Sequence, residues 1–377
     1  MNNEVLTLCG VGDILCDREA PGSMFTNVTT LFQKTDVVFG QLELPVSVRG
    51  EPIITSRSPI RAHPRLAKAL KAAGFHVLSF AGNHSLDYGN IALLDTIEHV
   101  KSEGMAIVGV GENLAQARQP AIIERNGTRM GFLSYNSILP PGNEAFTHKP
   151  GCAPLKIWTF YQPLEGFQPG TPCRILTFAN DEDLAAMKED IKKLRTIVDI
   201  LVVSMHWGLH HAPASLAMYQ REIGHAAIDA GADLILGHHP HILKPIETYK
   251  GKVIFHSLGN FIAEVPLETM NKWKQNPEMR TSRLAYELET DPEFPNFPFH
   301  RDSRKTMIAK CYIKDKKIEK VTFIPVMINQ KLEPEIVLPN DDNFEIILKY
   351  MREIGESQGI NTQYAIDNSE INIDTTC

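Results

Sequence analysis

Short apolar runs of strand length alternate with amphipathic segments of helix length, and this alternation constrains the fold more than any other feature of the chain. The predicted strands are residues 6–12, 36–44, 75–84, 105–111, 199–208, 233–239 and 252–261. The predicted helices are residues 63–74, 91–104, 181–198, 216–231 and 341–355. Residues 121–135 and 306–328 have the pattern of β-hairpins. Alternation of this kind predicts an α/β protein with mainly buried sheets.

Two long segments depart from the alternation. Residues 138–180 and 263–304 are rich in proline and aromatic residues. Insertions of this length often form lids or binding loops, so we predict that both lie near the active site. We assign residues 1–340 to one domain and residues 341–377 to a C-terminal helix and tail.

Composition and charge argue against several kinds of partner. A formal net charge of −7 over 377 residues gives no basis for general nucleic-acid affinity, which requires a basic surface. No apolar run approaches the roughly 20 residues of a membrane-spanning helix, and the N-terminus lacks the basic region and cleavage site of a signal peptide. The six cysteines form no CxxC pair and are predicted to be free thiols. We therefore predict a cytoplasmic protein with neither nucleic-acid nor membrane partners.

Polar side chains occur where the predicted strands end. They are Asp13, Glu43, Asn83 with His84, His206, and the group His238, His239 and His241. Eight of the 14 histidines lie between residues 206 and 256, where even spacing would place about two. Because the carboxyl ends of strands in a wound α/β sheet line one crevice, we expect these side chains to converge on one site.

The donor types indicate a metal centre. Carboxylate, amide and imidazole groups together suit manganese, zinc, iron or nickel better than calcium or magnesium. The set is too large for one tetrahedral zinc ion, whereas two divalent ions bridged by a carboxylate would use all of it. Each residue alone also has an ordinary structural interpretation, such as a helix cap for an aspartate or a hydrogen-bonded core position for a histidine. The combination favours a site with two metal ions.

Six motifs occur together between residue 6 and about residue 262. They are GD ending at Asp13, GQLEL (40–44), GNHSLDYG (82–89), HWG (206–208), QREIGHAAIDAGADLILGHHPH (220–241) and SLGNF (257–261). This set resembles the motifs of the CapA/PgsA proteins, which are linked to capsule and poly-γ-glutamate synthesis and belong to the calcineurin-like metallophosphoesterase superfamily. The resemblance implies a four-layer α/β/β/α sandwich with two metal ions at its edge.

The resemblance also implies a role for each residue at a matching position. One ion would be bound by Asp13 and His241, the second by Asn83, His206 and His239, and Glu43 would bridge them. His84 would act as a general acid or transition-state donor, with Asp87 orienting its ring. The alternative for His84 is a supporting hydrogen bond. His238 is a second candidate ligand, because the doubled histidine of HHPH leaves the register of the family's H-x-H pattern open.

Several positions differ from the family's pattern and suggest a pocket with additional proton donors. The superfamily usually carries a histidine where this chain has Leu15, and an aspartate at the bridging position, where it has Glu43. Many CapA-like proteins have a Glu-Tyr pair where this chain has His210 and His211, and a tyrosine where it has His256. We predict that four residues contact the substrate: His210, His211, His256 and Asn260.

Two functions are consistent with these residues. The first is a metal-dependent hydrolase, in which a metal-activated hydroxide attacks a phosphoester or an amide or lactam bond of a small, anionic substrate. The alternative is a non-catalytic accessory or binding component of poly-γ-glutamate or capsule synthesis. The expected partner is a small molecule or short polymer, and the sequence leaves a homo-oligomer open.

Overall fold

A computed structural model describes residues 5–56, 58–166, 170–286, 288 and 291–376. Its α-helices are α1 (Thr29–Gln33), α2 (Arg65–Ala73), α3 (Gly89–Ser102), α4 (Leu114–Ala117), α5 (Asp181–Arg195), α6 (Met218–Ala230), α7 (Leu267–Gln275), α8 (Pro277–Ala285) and α9 (Asp342–Ser357). Short 3-10 helices cover Pro21–Phe25 and Arg301–Arg304. The five helices expected from periodicity are α2, α3, α5, α6 and α9.

The strands follow the predicted alternation. In chain order they are β1 (Leu6–Leu15), β2 (Val37–Leu42), β3 (Val77–Ser79), β4 (Ala106–Val108), β5 (Val110–Gly111), β6 (Ala121–Arg125), β7 (Thr128–Asn136), β8 (Gly151–Cys152), β9 (Ile157–Pro163), β10 (Cys173–Ala179), β11 (Ile200–His206), β12 (Leu234–His238), β13 (Ile246–Tyr249), β14 (Lys252–Phe255), β15 (Asn260–Ala263), β16 (Lys305–Lys314), β17 (Lys317–Ile328), β18 (Pro334–Ile336), β19 (Tyr364–Asp367) and β20 (Glu370–Ile373).

Two sheets form the centre of the protein. A ten-stranded sheet has the order β19-β20-β17-β16-β1-β2-β3-β4, with β15 also paired to β1 and β18 to β17. A six-stranded sheet has the order β13-β14-β12-β11-β7-β6. β1, β2 and β3 are parallel, as are β7, β11 and β12, so each sheet presents the carboxyl ends of several neighbouring strands at one edge.

The layers follow from the alternation of side chains along the strands. In β1, Leu6 and Leu8 pack into the core between the two sheets, whereas Cys9 and Val11 face the core beneath α1, α2 and α3. A third core joins the outer face of the six-stranded sheet to α5 and α6. The predicted α/β class and the α/β/β/α order of layers are confirmed.

The predicted strand 252–261 is two strands in different sheets. β14 belongs to the six-stranded sheet and β15 pairs with β1 in the large sheet. The chain crosses between them at Gly259, whose φ of +72° lies in the left-handed region that glycine adopts at little cost. An apolar run alone does not reveal such a crossing.

The long insertions contain regular structure that their sequences did not predict. The segment 138–180 includes the hairpin β9–β10, and the segment 263–304 includes α7 and α8. At the C-terminus, α9 packs against the core between the sheets, and β20 pairs with β17. The proposed division near residue 340 stays a prediction.

Two further predictions concern free cysteine thiols and the absence of a membrane-spanning helix. All five cysteines in the described residues are free thiols, and Cys377 lies outside those residues. Within the described part of the chain, none of the helices combines the length and the apolar character needed to cross a membrane.

Candidate metal centre and cavity

The ends of strands from both sheets meet at one edge of the sandwich. The residues placed there are Asp13 in β1, Glu43 after β2, Asn83 and His84 after β3, His206 at the end of β11, and His238, His239 and His241 at and after β12. The backbone is closely packed at this edge and requires a glycine at position 12. A Cβ atom on Gly12 would lie only 2.0 Å from the Gly259 carbonyl oxygen. The convergence expected from the strand ends is therefore present.

Glu43 lies between two histidines. Its Oε2 is 3.9 Å from His206 Nδ1, and its Oε1 is 3.7 Å from His241 Nε2. Glu43 is fully buried, and neither carboxylate oxygen has a hydrogen-bond partner among the described residues. Together with Asp13 and His206, it offers ligand atoms that all lie within 4.8 Å of one another.

Asp13 faces the histidines that follow β12. Its Oδ2 accepts a hydrogen bond from the His239 backbone N–H at 3.1 Å and lies 3.4 Å from His241 Nδ1. Its Oδ1 is 3.6 Å from His238 Nδ1 and has no hydrogen-bond partner in the described chain. Oδ1 of Asp13 is thus available to bind a metal ion.

Asn83 brings together two further histidines. Its Oδ1 is 2.7 Å from His206 Nε2 and 3.2 Å from His239 Nδ1. The Asn143 side chain donates a hydrogen bond to the Asn83 carbonyl oxygen at 2.9 Å. One oxygen and two ring nitrogens therefore converge as a second donor set beside the carboxylates.

Burial dominates the electrostatics of this cluster. It lowers the pKa of His206 and of His239 well below the usual range, and neighbouring histidines lower both further. Burial also lowers the pKa of His241 to about 3, and it raises the pKa of both Asp13 and Glu43. Neutral imidazoles are the form that binds metal ions, and buried carboxylates without a counter-charge are stabilised by a cation. The donor set therefore fits one or more divalent ions.

His84 and Asp87 form a hydrogen-bonded pair at the wall of the site. His84 Nδ1 is 2.7 Å from Asp87 Oδ2, and that carboxylate also accepts from the Ser56 hydroxyl at 2.7 Å and the Ile60 N–H at 2.9 Å. With these donors holding Asp87, the Nδ1 of His84 is the donor of their shared bond, which leaves Nε2 for other partners. The geometry supports the predicted orienting role of Asp87.

A cavity of about 470 Å³ opens over the cluster. Asn83, His84, His239 and His241 line it, whereas Asp13, Glu43 and His206 lie behind these side chains. Both insertions contribute to its walls, the first through Asn143 and the second through Trp273, Met279, Arg283, Tyr286 and Phe299. Sequence reasoning missed Asn143, Arg283 and Tyr286 because no motif surrounds them.

His210 and His211 also reach the cavity, as predicted for substrate-contacting residues. The two rings stack with centroids 3.7 Å apart, and His210 lies 4.7 Å from the ring of His239. The loop is held in place because the His211 N–H donates to the Pro240 carbonyl oxygen at 3.0 Å. Their contact with a substrate stays a prediction.

His256 and Asn260 do not face the cavity. His256 is fully buried, with Nε2 2.8 Å from Glu247 Oε2, and its carbonyl oxygen accepts from the Trp207 indole N–H at 2.9 Å. Asn260 Oδ1 is 2.7 Å from His241 Nδ1, and its Nδ2 donates to the His241 carbonyl oxygen at 3.0 Å. The prediction that both residues contact the substrate is therefore corrected, because neither lines the cavity. His256 packs behind the site, and Asn260 is hydrogen-bonded to His241, a proposed metal ligand.

His238 points into the space between the sheets. It is fully buried, neither ring nitrogen has a hydrogen-bond partner among the described residues, and its ring lies 6.1 Å from that of Phe39. Burial lowers the pKa of its imidazole to about 3. Its Nδ1 approaches the open oxygen of Asp13, so a ligand role stays a prediction.

Fold and site together define a protein of α/β/β/α architecture with a candidate metal centre at its edge. Residues 7–265 match the family model described as bacterial capsule synthesis protein PGA_cap. The match covers more than half of the chain, and the protein belongs to this family. The family predicted from the motifs is confirmed.

Named relatives occur in several bacteria. The chain is 31% identical over 271 residues to the PGA biosynthesis protein CapA of Bacillus subtilis, covering 69% of this chain and 64% of that protein. It is 30% identical over 271 residues to the capsule biosynthesis protein CapA of Bacillus anthracis, covering 69% and 60%. A Mycobacterium tuberculosis protein described as "Probable polyglutamine synthesis accessory protein" is 32% identical over 238 residues, covering 60% and 56%. The chain therefore spans less than two thirds of the length of these relatives.

Among solved structures, the calcineurin-like phosphoesterase YfkN from Bacillus subtilis matches 94% of this chain and 97% of that chain. The TM-score is 0.43 and the sequence identity is 12%. These values are too low for the likeness to bear on function.

Proposed function

We propose that this protein is a metal-dependent hydrolase that cleaves a phosphoester or an amide or lactam bond in a small, anionic substrate. The observation that carries the proposal is the pair of buried carboxylates, Asp13 and Glu43, facing neutral histidines behind the floor of a cavity. A purely structural site would pair all four carboxylate oxygens with hydrogen-bond donors, whereas three of them have no such partner among the described residues.

The proposed metal ligands form two groups. Asp13 and His241 would hold one ion, Asn83, His206 and His239 would hold a second, and Glu43 lies where it can contact both. Manganese, zinc and iron suit this mixture of donors. When bound, such ions polarise the scissile group and make water a stronger nucleophile at neutral pH.

The chain's own residues have separate tasks in the proposed reaction. His84 lines the cavity, and its Nε2, which is not engaged by Asp87, is the atom that would pass a proton to the leaving oxygen or nitrogen. Asp87 holds the His84 ring by accepting its Nδ1–H. Trp273 and Phe299 of the second insertion narrow the cavity with apolar surface, which limits the entry of water.

A second candidate function is a non-catalytic accessory component of capsule or poly-γ-glutamate synthesis. The name of the Mycobacterium tuberculosis relative favours it. In that case the same cavity would bind a polymer end or small molecule without turnover. Cytoplasmic location and homo-oligomer formation stay predictions under both proposals.

Metal content and turnover together test the proposal. We expect protein expressed with added manganese or zinc to contain about two ions per chain, and to hydrolyse members of a panel of aryl phosphoesters and anilides. His206→Ala should reduce turnover at least about 100-fold, since it removes one of the three donors proposed for the second ion. His148→Ala, which changes an exposed histidine, should match the wild type.

The outcomes separate the two functions. Metal binding at the site without turnover of any panel member above the His206→Ala level would favour the accessory component. Protein that retains no metal after supplemented expression would contradict the metal centre itself.

A further inference from the structure

The second insertion forms part of the cavity wall, and most of its residues lie beyond the part of the chain that matches the family model. We call residues 263–304 the cap segment. The family match ends at residue 265, whereas α7 and α8 of the cap segment begin at Leu267 and Pro277. The shared motifs therefore build the candidate metal centre, and the cap segment builds much of the wall that a substrate would meet.

Arg283 in α8 supplies a guanidinium group to this wall. Its Nη1 donates to the Pro298 carbonyl oxygen at 2.9 Å, and its Nη2 donates to the Leu288 carbonyl oxygen at 2.8 Å. These bonds hold the group in one orientation across the cap segment. Since a guanidinium has five N–H donors, about three remain for a ligand.

Among the described residues, the hydrogen-bond partners of Arg283 are uncharged. Within the described residues, no carboxylate lies at ion-pair distance from it, and its two hydrogen-bond partners are carbonyl oxygens. Asp87 is the one carboxylate among the described residues lining the cavity, and it is held by His84, Ser56 and Ile60. A half-buried positive charge that has no carboxylate partner in the described part of the chain is stabilised when an anion enters.

Aromatic side chains of the cap segment line the same cavity as Arg283 and pack against its histidines. The Tyr286 ring packs edge-on against His211 at 5.5 Å and against His210 at 6.0 Å. Phe299 stacks on His241 with centroids 4.4 Å apart. An apolar or aromatic body would find apolar contacts in this cavity, whose lining includes both the metal-facing histidines and the guanidinium.

We propose that Arg283 binds a carboxylate of the substrate at a position remote from the bond that is cleaved, and so determines specificity. The substrate class is then a small molecule with an apolar or aromatic body that joins one carboxylate to the hydrolysable group. A planar guanidinium with free paired donors matches a carboxylate in both shape and charge. This inference concerns the specificity of the hydrolase proposed above. Its turnover assay rests on that proposed function, whereas its binding assay does not.

A matched pair of substrates tests the role of Arg283. The metal-loaded protein is assayed with 4-(carboxymethyl)phenyl phosphate and with its neutral carboxamide analogue, and kcat/KM is measured by phosphate release. We expect the wild type to prefer the carboxylate by about tenfold or more. Arg283→Gln should reduce this ratio to near one, and Arg283→Lys should restore part of it. Arg280→Gln, an exposed arginine on the same helix, should keep the wild-type ratio.

A binding experiment separates this inference from the proposed hydrolase. Calorimetric titration with 4-hydroxyphenylacetate and 4-hydroxyphenylacetamide needs no turnover, and any affinity of the carboxylate for metal ions is common to wild type and variant. We expect a preference of about tenfold for the acid in the wild type and its loss in folded Arg283→Gln. That result, without hydrolysis of either phosphate or of any phosphoester or anilide in the panel above, would support Arg283 and contradict the hydrolase. An unchanged preference in Arg283→Gln, in either assay, would overturn the role of Arg283.

Discussion

Glu43→Gln should have opposite effects on stability without and with metal. Without metal, the wild type holds a fully buried carboxylate whose two oxygens have no hydrogen-bond partner among the described residues. The nearby Asp13 carboxylate adds repulsion, and burial with that repulsion raises the pKa of Glu43 well above its usual range. A glutamine of the same shape carries no charge, so it removes the repulsion from Asp13 and the penalty for burying an ionised group, and the metal-free variant should be the more stable protein.

The magnitudes follow from burial and from linkage. The desolvation penalty of an unsatisfied buried group is about 1–3 kcal/mol and is larger when the group is charged, so removing the charge in metal-free Glu43→Gln should gain about 1–3 kcal/mol. An ion present at 100 times its dissociation constant stabilises the wild type by about 2.7 kcal/mol for each site. Because Glu43 faces both proposed groups of ligands, the variant should keep less than half of that stabilisation.

Urea unfolding followed by circular dichroism measures both effects. Wild type and Glu43→Gln are compared after chelator treatment and again with manganese added. Glu112→Gln, which changes an exposed carboxylate, is the control and should follow the wild type in both conditions. A metal-free Glu43→Gln protein that is less stable than the wild type, or that gains as much from manganese, would refute the placement of Glu43 as a metal ligand.

Two further predictions concern other residues. Asp87→Asn should lower kcat by about 10–100-fold while metal content, measured by elemental analysis, stays at the wild-type level, because Asp87 contacts His84 and no proposed ligand; an equal loss of metal would mean that Asp87 supports the ligands instead. His76 accepts a hydrogen bond from the Val38 N–H at 3.1 Å, and burial, followed by nearby positive charges, lowers the pKa of its ring to about 4. Since the folded-state value lies below the unfolded value of about 6.5, this stabilising contribution is present above pH 6.5 and is lost as the pH falls towards 4. The ring is partly solvent-screened, so the loss should be about 1–2 kcal/mol. His76→Asn should remove that part of the decline in unfolding free energy between pH 7 and 4.5, and an unchanged decline in the variant would contradict it.

The proposed ligand set was predictable because each residue lies in a short motif at the end of an apolar strand. Asp13, His206 and His239 can be placed at strand ends from their neighbours in sequence. Parallel strands then bring those ends to one edge, as the distances among these side chains confirm. Little beyond local pattern and the geometry of parallel sheets was required.

The environments of His256 and Asn260 could not be predicted in this way. His256 directly precedes the SLGNF motif and Asn260 lies within it. Nevertheless, His256 contacts Glu247, whereas Asn260 contacts His241, 19 residues away in sequence. Which neighbour each meets depends on the crossing between sheets at Gly259. A crossing of this kind is a property of how the two sheets pack.

The sequence by itself determined the fold class, the family and the residues proposed as metal ligands, because these follow from local periodicity and short motifs. Tertiary structure alone decided which side chains line the cavity. Arg283 and Tyr286 belong to a segment without a motif, and they reach the site only because α7 and α8 fold over it. Burial, the quantity that controls the charge of Asp13, Glu43 and the histidines, likewise arises only when distant segments pack together.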